Sequence, residues 1–139
     1  MKKAPKIPND ELRIAALRNL NILDTGPEEK FDCITELAAK ISDCPIALIS
    51  LVDENRQWFK SRFGLDAPET PRDISFCGHA IEHNEPFIIS NAREDKRFQD
   101  NPLCTGAPNV IFYAGIPLVT CGGFKVGTLC VIDHKPKNL

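Results

Sequence analysis

The chain of 139 residues lacks several features that would assign it to a common functional class. No segment approaches the roughly 20 apolar residues of a membrane span, and the lysines near residue 1 precede no apolar stretch suited to a secretory signal. The 17 basic and 19 acidic residues are mixed along the chain, so no basic stripe could neutralise a phosphate backbone. We therefore expect a cytoplasmic domain with no membrane span and no nucleic-acid partner.

The spacing of cysteine and histidine lacks the usual zinc motifs. The six cysteines contain no C-x-x-C pair, and His79 and His83 have no third ligand at standard spacing. In the absence of a secretion signal, we expect reduced thiols rather than a disulfide framework. The sequence predicts no metal, and it leaves any cofactor unidentified.

Helical periodicity is present near the start of the chain, which at this length suits a single domain over residues 1–139. A first amphipathic helix, capped by Asn9 or Asp10, extends to Leu20. A second helix follows a capping box at Thr25-Gly26-Pro27-Glu28. It repeats apolar residues on one face, namely Phe31, Ile34, Leu37, Ala38 and Ile41.

Strand-like stretches fill the rest of the chain. Residues 45–52 are almost entirely apolar, which is typical of a central strand covered on both faces. The other predicted strands are 57–63, 86–90, 110–120 and 124–133, the last two joined at Gly122-Gly123. Two loops, 65–74 and 91–109, separate them, with a helical turn near 94–98. This order predicts an α+β fold with helices on one side of a mostly antiparallel sheet.

The segment from Thr70 to Ile81 is chemically the most informative. Ser75 is predicted to cap a short helix whose first turn contains Cys77, where unpaired backbone N–H groups favour a thiolate or an anion. We expect the helix start and His79 both to lower the pKa of Cys77. Two interpretations stay open at this point: a reactive site, or the lid of a binding pocket.

Several ordered motifs carry a family resemblance. They are residues 11–17 with 22–25, 49–53 with 57–61, 71–81 (PRDISFCGHAI), 112–115 (FYAG) and 127–133 (GTLCVID). Together they resemble the GAF domain family, in particular the branch at the N-terminus of bacterial diguanylate cyclases and histidine kinases. The resemblance implies a GAF-like (profilin-like) fold with a central antiparallel β-sheet and flanking helices.

The same resemblance implies a function. We expect a non-catalytic sensory module that binds an unidentified small molecule and controls a downstream output domain in the same chain, a diguanylate cyclase or a histidine kinase. In the family a terminal helix usually follows the last strand, and the chain stops soon after that strand. We therefore expect the N-terminal fragment of a longer signalling protein, and also a homodimer, since the first helix could pair with its copy.

The candidate site residues come from the aromatic and polar groups near the predicted pocket. Strand alternation sends Phe112 and Tyr113 to opposite faces, so only one can face a ligand, and we choose Phe112. No catalytic residue is assigned. The candidate ligand-binding residues are Trp58, Phe76, Cys77, His79, Asn101 and Phe112.

Two alternative functions stay open. Cys77, with Cys104 as a resolving thiol, could form a redox sensor, or an enzyme similar to the GAF branch that reduces free methionine sulfoxide. In the third interpretation the domain is a dimerisation module with no ligand.

Overall fold

The computed structural model describes residues 1–138, which contain six strands and four α-helices. The strands are β1 Ile46–Val52, β2 Arg56–Phe63, β3 Glu69–Pro71, β4 Phe87–Ile89, β5 Phe112–Val119 and β6 Lys125–Asp133. The helices are α1 Asp10–Asn19, α2 Glu29–Ser42, α3 Phe76–Ala80 and α4 Pro102–Thr105. The strands form one antiparallel sheet in the order β3-β2-β1-β6-β5-β4. The predicted α+β class and antiparallel sheet are confirmed.

Strand β1 is central, as its unbroken apolar sequence predicted. All seven of its residues are buried, and it pairs with β2 on one side and β6 on the other. At Gly127 the two strands approach so closely that an added Cβ would lie 2.0 Å from the carbonyl oxygen of Ser50. Only glycine fits at this position without moving the backbone of β1 or β6.

The helices occupy both faces of the sheet, and the prediction that they share one side is wrong. Leu17 of α1 packs with Leu51 of β1, whereas Phe76 of α3 packs with Leu48. Because alternate residues of a strand point to opposite faces, α1 and α3 cover opposite faces. The amphipathic stripe of α1 and the short apolar run of α3 each need a sheet surface, and one face cannot supply both.

The predicted side-chain caps of α1 and α2 are also wrong. Asn9 precedes α1 with φ 61° and makes no side-chain cap. The carboxylate of Asp10 instead accepts hydrogen bonds from two arginines, which are described below. Helix α2 begins at Glu29, and Thr25 lies outside it, where its hydroxyl donates to the carbonyl oxygen of Ile22. The Asp10 carboxylate is thus engaged by arginine side chains, and the Thr25 hydroxyl by a carbonyl group three residues earlier in the chain.

Helix α2 packs on the sheet through small residues rather than its predicted apolar stripe. Thr35 and Ala39 are buried, and the Thr35 hydroxyl lies 2.8 Å from that of Ser61 on β2. The stripe residues Ile34, Leu37 and Ile41 are 44%, 58% and 77% exposed. The apolar periodicity of α2 therefore marks a surface of the domain and not its core.

The loops over the α3 face contain more structure than predicted. The edge strand β3 pairs with β2, although Pro68 before it and Pro71 at its end indicated a loop. A 3-10 turn at Ala92–Glu94 begins just before the predicted helical turn, and α4 was not predicted. These loops and α3 enclose the main hydrophobic core together with one face of the sheet.

Candidate functional site

Helix α3 is held by the cap that the sequence predicted. The Ser75 hydroxyl accepts a hydrogen bond from the backbone N–H of Gly78 at 3.0 Å and donates to the carbonyl oxygen of Arg72 at 2.6 Å. A Cβ on Gly78 would lie 2.5 Å from that hydroxyl and 2.7 Å from the Cβ of Ala4. The cap and the glycine together press α3 against the chain start and direct Cys77 into the core.

Three polar side chains surround the Cys77 thiol, those of Tyr113, Thr128 and Cys130, and we call the four residues together the thiol cluster. The hydroxyls of Tyr113 and Thr128 donate to Cys77 Sγ at 3.2 and 3.1 Å. The sulfur of Cys130 lies 4.0 Å from that of Cys77. All four residues are at most 3% exposed. Two thiols and two hydroxyls therefore meet inside the core.

Hydrogen bonding divides the two thiols into a stronger and a weaker acid. Burial raises the pKa of Cys77, but hydrogen bonds from Cys130, Thr128 and Tyr113 outweigh burial and lower the pKa to about 6. The pKa of Cys130 is raised, first by its hydrogen bond to Cys77 and then by burial. At neutral pH this arrangement favours a thiolate at Cys77, which accepts a hydrogen bond from the thiol of Cys130.

His79 does not act on Cys77 as a cation, contrary to the sequence-based expectation. Burial lowers the pKa of His79, so its ring is neutral at pH 7. Its Nε2 lies 3.1 Å from the carbonyl oxygen of Lys2, which can only accept a hydrogen bond. The ring also packs edge-on against Phe98 at 4.8 Å. His79 therefore fixes the N-terminal segment against α3.

Aromatic rings fill the core beside the thiol cluster. Phe76 stacks on Phe98 with ring centroids 4.2 Å apart and lies 5.5 Å from the ring of Tyr113. Phe87 completes the group by edge contacts with Phe98 and Tyr113. These rings pack on each other at the place where a ligand was expected.

The other candidate residues lie elsewhere. Trp58 packs with Leu17 in the cluster beneath α1, and alternation along β5 directs Phe112 to the face opposite Tyr113. Asn101 caps α4 by accepting from the N–H of Leu103 at 2.9 Å, and its amide donates to a carbonyl before α3. Phe76, Cys77 and His79 are therefore the only predicted ligand-site residues that share one helix.

The thiol in contact with Cys77 was missed. It belongs to Cys130 and not to Cys104, which is buried in α4 and whose pKa is raised by burial. Strand periodicity places Thr128 and Cys130, two residues apart on β6, on the same face of the sheet, and it places Tyr113 on the face opposite Phe112. No local pattern indicated that this face would meet α3.

The family assignment follows from the sequence together with this fold. The model of the GAF domain family matches residues 26–138. The chain belongs to the GAF domain family. Among the described residues of this GAF domain, no helix has the length and apolarity needed to cross a membrane. No group of three His, Cys, Asp or Glu residues within 1–138 is placed to hold a metal ion.

One curated relative is similar over nearly the whole GAF domain. The cyclic di-GMP phosphodiesterase PA2567 of Pseudomonas aeruginosa is 45% identical over 135 residues, which is 96% of this chain and 23% of the relative. The chain therefore spans less than a quarter of the length of the relative that it matches.

Solved structures share the GAF fold at low identity. The GAF domain of a phosphoenolpyruvate-protein phosphotransferase from Coxiella burnetii has a TM-score of 0.64 at 13% identity, over 95% of this chain and 83% of that one. A type II free methionine-R-sulfoxide reductase from Thermoplasma acidophilum has a TM-score of 0.61 at 10% identity, over 86% and 79%. At such identities these likenesses concern the fold alone.

Proposed function

We propose that this GAF domain is a non-catalytic sensory input that binds a small molecule and controls an output domain in the same chain. The observation that carries the proposal is the 45% identity that covers 96% of the chain but 23% of a named phosphodiesterase. The remaining part of such a protein is large enough to hold the catalytic machinery. Because that relative is named for cyclic di-GMP, we propose an output domain that makes or hydrolyses cyclic di-GMP. We prefer this output to a histidine kinase.

A chimera tests this proposal. Residues 1–139 would replace the matching segment of the Pseudomonas aeruginosa phosphodiesterase, and cyclic di-GMP hydrolysis would be compared with the parent and with a deletion of that segment. We expect the deletion to change the hydrolysis rate and the chimera to restore it. A deletion that keeps the parent's rate, or a chimera that behaves as the deletion does, would contradict a regulatory role.

The thiol cluster favours a second candidate function, a peroxide-responsive redox switch. The Cys77 thiolate would attack one oxygen of hydrogen peroxide, which breaks the O–O bond, releases hydroxide and leaves a sulfenic acid. The Cys130 thiol, 4.0 Å away, would then displace the sulfenic hydroxyl as water and form a disulfide. Two thiols and one peroxide thus give one disulfide and two waters, and α3 becomes tethered to β6.

Mass spectrometry of peroxide-treated protein tests the switch. We expect a peptide cross-link between Cys77 and Cys130, and a trapped sulfenic acid at Cys77 in Cys130→Ser. Cys104→Ser is the matched control, because its thiol is buried in the same core without touching Cys77. Oxidation confined to the exposed Cys33 and Cys121 would refute the switch. Free methionine sulfoxide used in place of peroxide tests the reductase alternative.

We also propose a homodimer through one apolar surface. The exposed stripe of α2 continues across Ala38 onto the uncovered sheet face at Ile88, Ile116 and Val131. Large exposed apolar patches on small domains mark interaction sites. The stripe is flanked by an exposed Glu36–Lys40 pair, so the surface carries both charges and is suited to a second copy in a two-fold arrangement.

Sedimentation of single variants tests the dimer. Leu37→Glu should give a monomer, because a charge would be buried in the interface. Leu12→Glu is the matched control, since Leu12 on α1 has the same 58% exposure as Leu37. Monomeric wild-type protein would contradict the proposal, and dissociation by Leu12→Glu alone would move the interface to α1.

A further inference from the structure

A cleft lies away from the thiol cluster, between the N-terminal segment, α1, the end of α3 and the β5–β6 turn. It encloses about 470 Å³. Its apolar wall is formed by Ile7, Ile81 and Phe124. We call it the N-terminal cleft. It touches α1, the two residues that follow α3 and the start of β6, so an occupant would bridge these three segments.

Positive charge dominates the polar part of the cleft. Lys6, Arg13 and Lys125 line it, and Glu82 is its one carboxylate. Within residues 1–138, neither Lys6 nor Lys125 forms a salt bridge. The lining therefore has two lysine ammonium groups available to an anion, beside a third cation.

The third cation, Arg13, is buried and incompletely hydrogen-bonded. Its side chain is 1% exposed, its Nε donates to Asp10 at 3.0 Å, and its Nη1 donates to the carbonyl oxygen of Val52 at 2.6 Å. Its Nη2 is buried and has no partner among the described residues. A buried charged donor without an acceptor is costly, so its position calls for an acceptor such as a water, an ion or a ligand.

The nearest carboxylate cannot supply the missing acceptor. Asp10 also accepts hydrogen bonds from both terminal nitrogens of Arg72, at 2.8 and 2.9 Å, and Arg72 is 2% exposed. Two buried guanidinium groups thus share one carboxylate. The next one, Asp53, already accepts from Arg18 and Arg56. Both carboxylates are thus already engaged by other guanidinium groups.

We propose that the N-terminal cleft binds a small organic anion, a carboxylate or a phosphate monoester with an apolar body. The anionic group accepts from Arg13 Nη2 and pairs with Lys6 and Lys125, and the apolar body packs on Ile7 and Phe124. Use of this occupant as a signal rests on the sensory function proposed above, whereas binding itself does not. An occupant would also lie beside Ile81 and Glu82, which directly follow α3, the helix that carries Cys77.

Calorimetric titration of the 139-residue protein with three matched probes tests the cleft. Phenyl phosphate and benzoate carry the two anions on one ring, and benzyl alcohol is their uncharged counterpart. We expect at least one anion to bind, with an affinity that falls as salt rises, and benzyl alcohol not to bind. Binding of phenyl phosphate alone identifies a phosphate site, and binding of benzoate alone a carboxylate site.

Lysine variants locate the binding. Lys6→Gln and Lys125→Gln should each raise the dissociation constant by about tenfold, the loss of one charge-assisted contact. Lys96→Gln is the matched control, because Lys96 is exposed and lies outside the cleft. The proposal is overturned if neither anion binds, if benzyl alcohol binds equally, or if the cleft variants match the control. Such a failure leaves the chimera's regulation of its output intact.

Discussion

Removing the charge of Asp10 provides a stringent test of the buried arginine pair. Asp10 accepts three hydrogen bonds of 2.8 to 3.0 Å from Arg13 and Arg72, and both arginines are at most 2% exposed. Asp10→Asn keeps the shape but leaves two buried guanidinium groups with no carboxylate between them. Breaking a buried pair costs about 3–5 kcal/mol. Since asparagine keeps one acceptor oxygen, we expect a loss of about 3 kcal/mol.

Urea denaturation at pH 7 measures this loss, with Asp24→Asn as the matched control. Asp24 receives two hydrogen bonds of 2.8 and 2.9 Å from Arg56, but its side chain is 65% exposed. Water and salt screen an exposed pair, so Asp24→Asn should lower the free energy of unfolding far less than Asp10→Asn does. If Asp10→Asn cost no more than Asp24→Asn, the buried network would not stabilise the fold as the structure indicates.

The same substitution should change the pH dependence of stability. Burial raises the pKa of Asp10, but hydrogen bonds from Arg72 and Arg13 outweigh it and hold the pKa below its ordinary value of 3.8. The unfolded chain therefore binds the proton more readily. The contribution of Asp10 is complete above its unfolded pKa and is lost as pH falls through the folded pKa. Acid unfolding of Asp10→Asn should lack this component, and an unchanged acid profile would refute the assignment.

Three further substitutions test the fold and the thiol cluster. Gly127→Ala places a Cβ against the Ser50 carbonyl and should lower the free energy of unfolding, measured in urea, by about 3 kcal/mol. A loss below about 1 kcal/mol would show that β1 and β6 can move apart at this position with little loss of stability. Ser75→Ala removes the α3 cap and should cost about 1–2 kcal/mol, and an unchanged midpoint would contradict the cap. Tyr113→Phe removes a hydrogen-bond donor to Cys77, so the pKa of Cys77, followed by thiolate absorbance, should rise above about 6. An unchanged pKa would mean that the Tyr113 hydroxyl does not stabilise the thiolate.

Local sequence patterns correctly predicted those elements whose formation depends on neighbouring residues. The apolar run of β1 predicted a central strand, and Ser75 predicted the start of α3, because each depends on groups adjacent in the chain. The cap at Thr25 failed for the opposite reason. Its hydroxyl accepts a hydrogen bond from Lys60, a residue 35 positions away, and this contact competes with capping of α2.

The candidate site was predicted only in part for the same reason. The sequence placed Cys77 near a helix start, and alternation placed Tyr113 on the face opposite Phe112. Which of these faces meets α3 depends on the pairing of β5 with β6 and on the packing of α3 across the sheet. The choice between Phe112 and Tyr113 therefore required knowledge of how α3 packs on the sheet.

The sequence by itself determined the α+β class, the family resemblance and the position of Cys77 in the first turn of α3, because hydrophobic periodicity and local capping are written in neighbouring residues. Tertiary structure decided the chemical environments. The 4.0 Å approach of Cys77 to Cys130 joins residues 53 apart, and the contact of Arg72 with Asp10 joins residues 62 apart. Burial and long-range contact set the acidity of a thiol and the partners of a guanidinium, and both exist only once the sheet has brought distant segments together.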